Sequence, residues 1–375
     1  MSDPRYGQLA RLLVTHSTGL KPGENVLIEA THIPEPALTA LVEAAIEVGA
    51  NPVIETKSSR IVRSMVRSGT PEQARQRIKL WGDLELHRMK QMQAYIALRG
   101  SENITEMSDV APEMMSVYEE LLLKPVHIDQ RVKNTRWCVL RWPNASMAQQ
   151  AGMSTEAFED FYFRVCLVDY AAMARAAVPL KELMDTTDRV RIVSPDTDLR
   201  FSIKGIGSVP CTGEMNVPDG ECFTAPVKDS VEGHIHYNSG TLYRGTMFDD
   251  IRLTFKAGQV VDFNSSNNEA LGSILDSDPG ARYVGEFAIG FNPFIQNPMR
   301  DILFDEKIRG SLHLALGQCY EVAENGNRSK VHWDMVLRQE SGGEIYFDEV
   351  LIRKDGRFVL PQLLALNPEN LGTTT

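Results

Sequence analysis

The chain has 375 residues, 43% of them hydrophobic and 24% charged, which excludes a disordered or collagen-like polypeptide and suits two domains. Lys+Arg total 39 against 50 Asp+Glu, a net charge of −11, with pI near 5.3. Phosphate backbones and anionic lipid surfaces are bound by basic faces, so neither nucleic acid nor a membrane is an expected partner.

Five cysteines (Cys138, Cys166, Cys211, Cys222, Cys319) are scattered with no CxxC pair, a usage of reduced thiols that points to a reducing compartment and a cytoplasmic location. The opening MSDPRYGQLARLLVTHS has a short apolar stretch on a helical period but no basic leader, long apolar core or small-residue cleavage site, so no signal peptide is expected. No run of eighteen or more apolar residues suggests a membrane span.

In chain order, residues 26–30 read as a buried strand, 34–49 as a helix stopped by Gly49, and 52–56 as a second strand. Residues 71–92 are helical in character, 94–98 and 136–141 are strands, and 154–184 is a helical region capped by Ser154 or Thr155. Such alternation predicts an α/β domain with a mostly parallel sheet. The character changes near Thr187-Asp188, so the boundary is expected at about residue 186, giving an N-terminal α/β domain over 1–186 and a β-rich α+β domain over 187–375. Residues 189–193 and 199–203 are short strands, and 233–237, 245–255 and 260–263 form a meander. Lys256-Ala-Gly258 and Lys354-Asp-Gly356 are hairpin turns, and the only biased stretch is the threonine run 373–375.

Phosphate loops, HExxH, GxSxG and kinase signatures are absent, and Gly205-Ile-Gly207 lacks the third glycine of a dinucleotide fingerprint. The second half holds five metal-type ligands in distinctive settings: Glu221 after a Pro-Asp-Gly turn, Glu286 after Gly285, His313 within GSLHLALG, and His332 with Asp334 in His-Trp-Asp. On a strand, residues i and i+2 share a face, so His332 and Asp334 can share one ion. Imidazoles with carboxylates suit zinc, cobalt, manganese or iron. Two histidines and three carboxylates exceed the need of one tetrahedral zinc and match two metals. Taken singly, His313 also reads as a core histidine and Glu221 as a solvated carboxylate. His234-Ile-His236 offers a rival pair on one strand face, read here as a surface feature of a sheet. Phe223, Phe287, Phe291 and Phe294 either line a pocket or belong to the core.

The runs NVPDGECFTAP, GEFAIGFNP, DEKIRGSLHLALGQCY and NGNRSKVHWD, in this order, resemble the thermophilic metallo-aminopeptidases of the aminopeptidase T and aminopeptidase S type. Thr135-Arg-Trp137, Ala151-Gly-Met-Ser154 and Asp169-Tyr170 extend the likeness into the first half. The departures are Asn325, where a glycine pair is usual, and Cys222 and Cys319 beside ligand positions.

The resemblance implies two divalent metal ions (zinc, cobalt or manganese) held by Glu221, Glu286, His313, His332 and Asp334, and a Tyr320 that steadies the tetrahedral intermediate, with Glu221 or Glu286 bridging the ions or moving a proton. It also implies a homodimer that admits short peptides to an internal cavity and removes their N-terminal residue. Two alternatives stay open. Ring-cleaving dioxygenases for dihydroxypyridines resemble the same family and would hold one iron by His313, His332 and Asp334. A relic that binds peptide or metal without catalysis is the other.

Overall fold

The computed structural model describes residues 3–372, so the threonine run 373–375 lies outside the described residues. The chain divides into two compact units, residues 1–167 with 213–217, and residues 168–212 with 218–375.

The first unit is built on a parallel sheet of five strands in the order Asn51–Lys57, Asn25–Thr31, Ala94–Arg99, Arg136–Arg141 and Asn216–Val217. The central strands are continuous apolar runs because both of their faces are covered, and Val26, Leu27, Ile28 and Ala94 to Leu98 are all buried. Four of these strands match the alternation read from the sequence. The fifth is a two-residue strand contributed from beyond the helical region. The helices Glu35–Glu47 and Pro71–Met89 fall where the periodicity places them. A helical segment absent from the sequence reading runs through Pro112–Tyr118, Glu119–Arg131 and Val132–Asn134. Pro125 lies inside it, and the wide π-type turns of Glu119–Arg131 accommodate a residue that has no N–H to donate.

The helical region 154–184 is two helices, Thr155–Cys166 and Tyr170–Thr186. Ser154 caps the first by accepting from the Ala157 N–H, and Asp169 caps the second by accepting from the Ala172 N–H. The boundary between units falls at 167/168 rather than near 186. The reason is packing: Tyr170–Thr186 buries Tyr170, Met173, Ala177, Leu180 and Met184, and its neighbours are the strands Val209–Cys211 and Glu221–Thr224 and the Pro361–Leu366 turn of the second unit.

The second unit contains two antiparallel sheets. One has eight strands in the order Gln259–Asn264, Ile251–Lys256, Glu232–Tyr237, Thr197–Ser202, Arg189–Ser194, Glu344–Phe347, Val350–Lys354 and Arg357–Phe358. The expected strand 245–255 is divided between Ile251–Lys256 and a separate small hairpin, Thr241–Tyr243 with Thr246–Phe248. Both expected tight turns are present, with Ala257 and Gly258 at φ 48° and 79°, and Asp355 and Gly356 at 48° and 74°. Positive φ at both central residues is what lets a two-residue turn follow the strand twist. The other sheet has five strands in the order His332–Arg338, Ser311–Gly317, Val284–Gly290, Glu221–Thr224 and Val209–Cys211. Among the described residues no helix is long and apolar enough to cross a membrane.

Candidate metal centre

One face of the five-stranded sheet collects all five expected ligands. Directly opposed residues on neighbouring strands point the same way. Glu286 opposes Ala315, and Ala315 opposes Asp334, so one row crosses three strands with a methyl group between two carboxylates. His313 lies two residues before Ala315 and His332 two before Asp334, which places both imidazoles on that face. Glu221 enters from the fourth strand, opposite Gly290 and Cys211.

Two glycines make this arrangement possible. Gly285 is the extra residue of a β-bulge between Val284 and Glu286, and a Cβ there would lie 2.4 Å from the Gly317 carbonyl oxygen and 2.6 Å from that of Gln318. The bulge re-aims the strand so that Glu286 faces the histidines. Gly285→Ala is therefore expected to lower stability by about 1–3 kcal/mol, the usual cost of forcing atoms into a packed interior, as read by chemical denaturation. Gly220 has φ 134°, and a Cβ there would lie 3.0 Å from the Asn292 nitrogen. The segment around it is fixed by the Asn292 amide donating to the Asp219 carbonyl at 2.7 Å, and by the Asp219 N–H donating to the Tyr170 hydroxyl at 3.0 Å.

The candidate ligand atoms lie near one another. Glu286 Oε1 lies 3.5 Å from His313 Nε2 and its Oε2 lies 3.4 Å from His332 Nε2. Asp334 Oδ1 is 3.7 Å from His313 Nε2 and 3.6 Å from His332 Nε2. Glu221 Oε2 is 3.7 Å from His313 Nδ1. His332 Nδ1 is 2.8 Å from the Gln318 carbonyl oxygen, an acceptor that sets the tautomer and leaves Nε2 for the site. Glu221 Oε2, Asp334 Oδ1 and both ring nitrogens of His313 are buried without a hydrogen-bond partner. Leaving such groups unmet costs about 1–3 kcal/mol each. Atoms bound about 2.0–2.2 Å from a common ion stand roughly 3.3–3.6 Å apart when the geometry is tetrahedral, which is close to the spacing of Glu286 and Asp334 about the Nε2 atoms of His313 and His332, while Glu221 faces the other His313 nitrogen, Nδ1. The residues present therefore fit a metal site.

The electrostatics agree. Burial would raise the Glu286 carboxyl, but His313 and His332 hold it down at about 2. Burial would lower both imidazoles, yet the carboxylates push His313 and His332 up to about 10. Burial raises Glu221, partly offset by Lys307 and His313. Three carboxylates around two imidazoles form a site that calls for positive charge.

Tyr320 stands at the edge. Its residue surface is 46% exposed, while its hydroxyl lies 3.3 Å from His332 Nε2 and its ring packs against Phe223 at 5.4 Å. Phe223 faces the site. Phe287 points to the other side of the sheet and packs edge-to-face on Phe201 at 5.0 Å, so it is core. Phe291 is buried and Phe294 half-buried. His234 is exposed on the eight-stranded sheet, and His236 Nε2 pairs with Asp250 at 2.5 Å, so the rival histidine pair is a feature of that other sheet. Cys222 points away from the ligand face, and Asn325 ties its loop down by donating to the Pro226 and Val284 carbonyls at 2.8 and 2.9 Å.

Sequence reasoning missed Lys307, Glu306, Asp219 and Cys211. The fully buried Lys307 ammonium donates to Glu221 Oε1 at 2.9 Å and to Glu306, and lies 3.8 Å from Asp219 Oδ1. Burial acts to lower it, but these carboxylates raise it well above an ordinary lysine. Cys211, Asp219 and Glu221 form a second cluster of ligand-type atoms beside Glu286, His313 and Asp334. The one signal in the sequence was the Asp-Glu-Lys run just before the His313 strand.

A profile of the family described as thermophilic metalloprotease (M29) matches residues 2–358. The chain belongs to this family. M29 membership makes it a hydrolase of the metalloprotease class. It is 24% identical over 378 residues to aminopeptidase PepS of Streptococcus thermophilus, covering 88% of this chain and 90% of that one. The fold is that of AmpT from Thermus thermophilus, with TM-score 0.81 at 20% identity over 95% of this chain and 99% of that one. A 2,5-dihydroxypyridine dioxygenase from Pseudomonas putida KT2440 shares the fold less closely, with TM-score 0.62 at 16% identity over 97% and 99% of the two chains. The M29 fold class is thus the α/β plus β-rich arrangement read from the sequence.

Proposed function

We propose that this M29 protein is a two-metal aminopeptidase that removes the N-terminal residue of short peptides, with the chemistry carried by the second unit. The observation that carries the reading is the set of buried, unpartnered atoms of Glu221, His313 and Asp334 turned toward one another around Glu286. Glu221, Glu286, His313, His332 and Asp334 would hold the ions. Once bound, two divalent cations supply a hydroxide near neutral pH, polarise the scissile carbonyl and hold the free α-amine.

The protein's own groups do the rest. Glu286 has one oxygen toward each imidazole and would hold the metal together with His313 and His332. The Gln318 carbonyl keeps the His332 proton on Nδ1. Tyr320, with its hydroxyl beside His332 and its ring open to substrate, donates to the oxyanion that develops on the peptide carbonyl. Tyr320→Phe is expected to reduce kcat by about 10²–10³-fold with KM little changed, as steady-state kinetics would show, since a donor of this kind acts in the transition state.

Release of leucine from leucine-anilide and from a dipeptide panel, with and without chelator, tests the reading. Turnover abolished by chelator is the expected result, and a metal-replete protein inert toward every peptide would leave the non-catalytic relic. The iron-dioxygenase reading needs only His313, His332 and Asp334. Two further carboxylates aimed at the same histidines favour two ions over one. The scattered cysteines, with no CxxC pair in the sequence, support a reducing, cytoplasmic setting. The resemblance supports a homodimer, which light scattering on the eluting protein checks.

A further inference from the structure

We infer that Lys307 is a positioning residue of the metal centre: its buried ammonium holds Oε1 of Glu221, so that Oε2 alone is presented to His313. The inference rests on the two-ion reading above and extends it to a residue that is not itself a ligand.

Four observations carry it. The Lys307 side chain is 1% exposed, and its ammonium donates to Glu221 Oε1 at 2.9 Å. The other oxygen, Oε2, makes no hydrogen bond and lies 3.7 Å from His313 Nδ1. The lysine backbone is pinned in its turn: its N–H donates to the Phe304 carbonyl at 3.0 Å, and its carbonyl accepts from the Asn292 N–H at 3.0 Å. The same turn is braced by Asp305, whose carboxylate accepts from the Met299 and Arg300 N–H groups at 2.6 and 2.8 Å.

A carboxylate free at both oxygens can swing or grip one ion through both. An ammonium fixed on one oxygen removes that freedom and leaves a single oriented donor, the way outer partners orient metal ligands in general. The lysine also fills the Cys211–Asp219–Glu221 cluster with its own charge, standing 3.8 Å from Asp219 Oδ1, so these ligand-type groups already have a cation beside them.

The test is titration of metal-free protein with cobalt(II), followed by calorimetry and by the visible absorption of the bound ion, beside a thermal melt. Wild type is expected to bind two cobalt ions per chain. Lys307→Met is expected to bind one ion as before and the other about 10–100-fold more weakly, with the corresponding visible band weakened and shifted. Lys307→Met/Glu306→Gln, which also removes one carboxylate charge facing the ammonium, should show the same loss, and it gives the reading where the single variant does not fold. Two cobalt ions bound by Lys307→Met with wild-type affinity and spectrum would overturn the proposal. So would recovery of the second ion in the double variant, because the lysine would then only balance charge. A wild type that binds a single cobalt would overturn the two-ion reading itself, and the proposal with it.

Discussion

Glu286→Gln is expected to reduce peptide turnover by at least about 10³-fold, the scale on which loss of one preorganised transition-state contact already acts. Glutamine has nearly the same shape, so the packing of a fully buried strand is kept. The chemistry is not kept. One carboxylate oxygen, now 3.4 or 3.5 Å from an imidazole nitrogen, becomes an NH2 group that can only donate. The site also loses one of the charges that draw dications into it. The decisive comparison is kcat and bound metal against an unchanged far-ultraviolet spectrum. His332→Ala should act in the same direction and leave the chain folded, since its side chain is 27% exposed at the rim of the site. Turnover within tenfold of wild type in either variant would mean that these residues do not hold the reacting centre.

Removing metal is the second large effect. Without cations, Glu221, Glu286 and Asp334 crowd around two histidines, and four buried atoms among Glu221, His313 and Asp334 lack partners. A ligand that binds only the folded state stabilises it by RT ln(1 + [L]/Kd), about 4 kcal/mol for one ion at a thousand times its Kd. Chelator is therefore expected to abolish activity and lower the melting temperature together, and added zinc, cobalt or manganese should restore both. Calorimetry with and without chelator reads the shift. A melting temperature that does not move would show that the cluster is stable without cations.

The parts of the fold that were legible share one property: their signal is local. The central strands of the parallel sheet are apolar runs covered on both faces, and Ala257-Gly258 and Asp355-Gly356 announce their turns by residue type. The strand Asn216–Val217 has two residues and is defined only by its partner Arg136–Arg141, so no local pattern marks it. The helical segment through Glu119–Arg131 was hidden by Pro125, which ordinarily ends a helix. Helix Tyr170–Thr186 was read correctly as a helix, but which unit it packs in is a long-range fact.

The same division runs through the site. The five candidate ligands could be singled out because their types and settings are unusual and because His-Trp-Asp has strand spacing. Their convergence depends on register, above all on the Gly285 bulge and the Glu286–Ala315–Asp334 row, which only pairing reveals. Lys307 escaped because lysine is ordinarily a surface residue. Its burial makes sense only once Glu221, Glu306 and Asp219 are seen around it.

The most direct test of the two-ion claim is anomalous diffraction from crystals of the zinc- or cobalt-loaded protein. Two peaks about 3.5–4 Å apart, enclosed by Glu221, Glu286, His313, His332 and Asp334, are predicted. A single peak bound by His313, His332 and Asp334 alone, or no peak within reach of these five side chains, would contradict it.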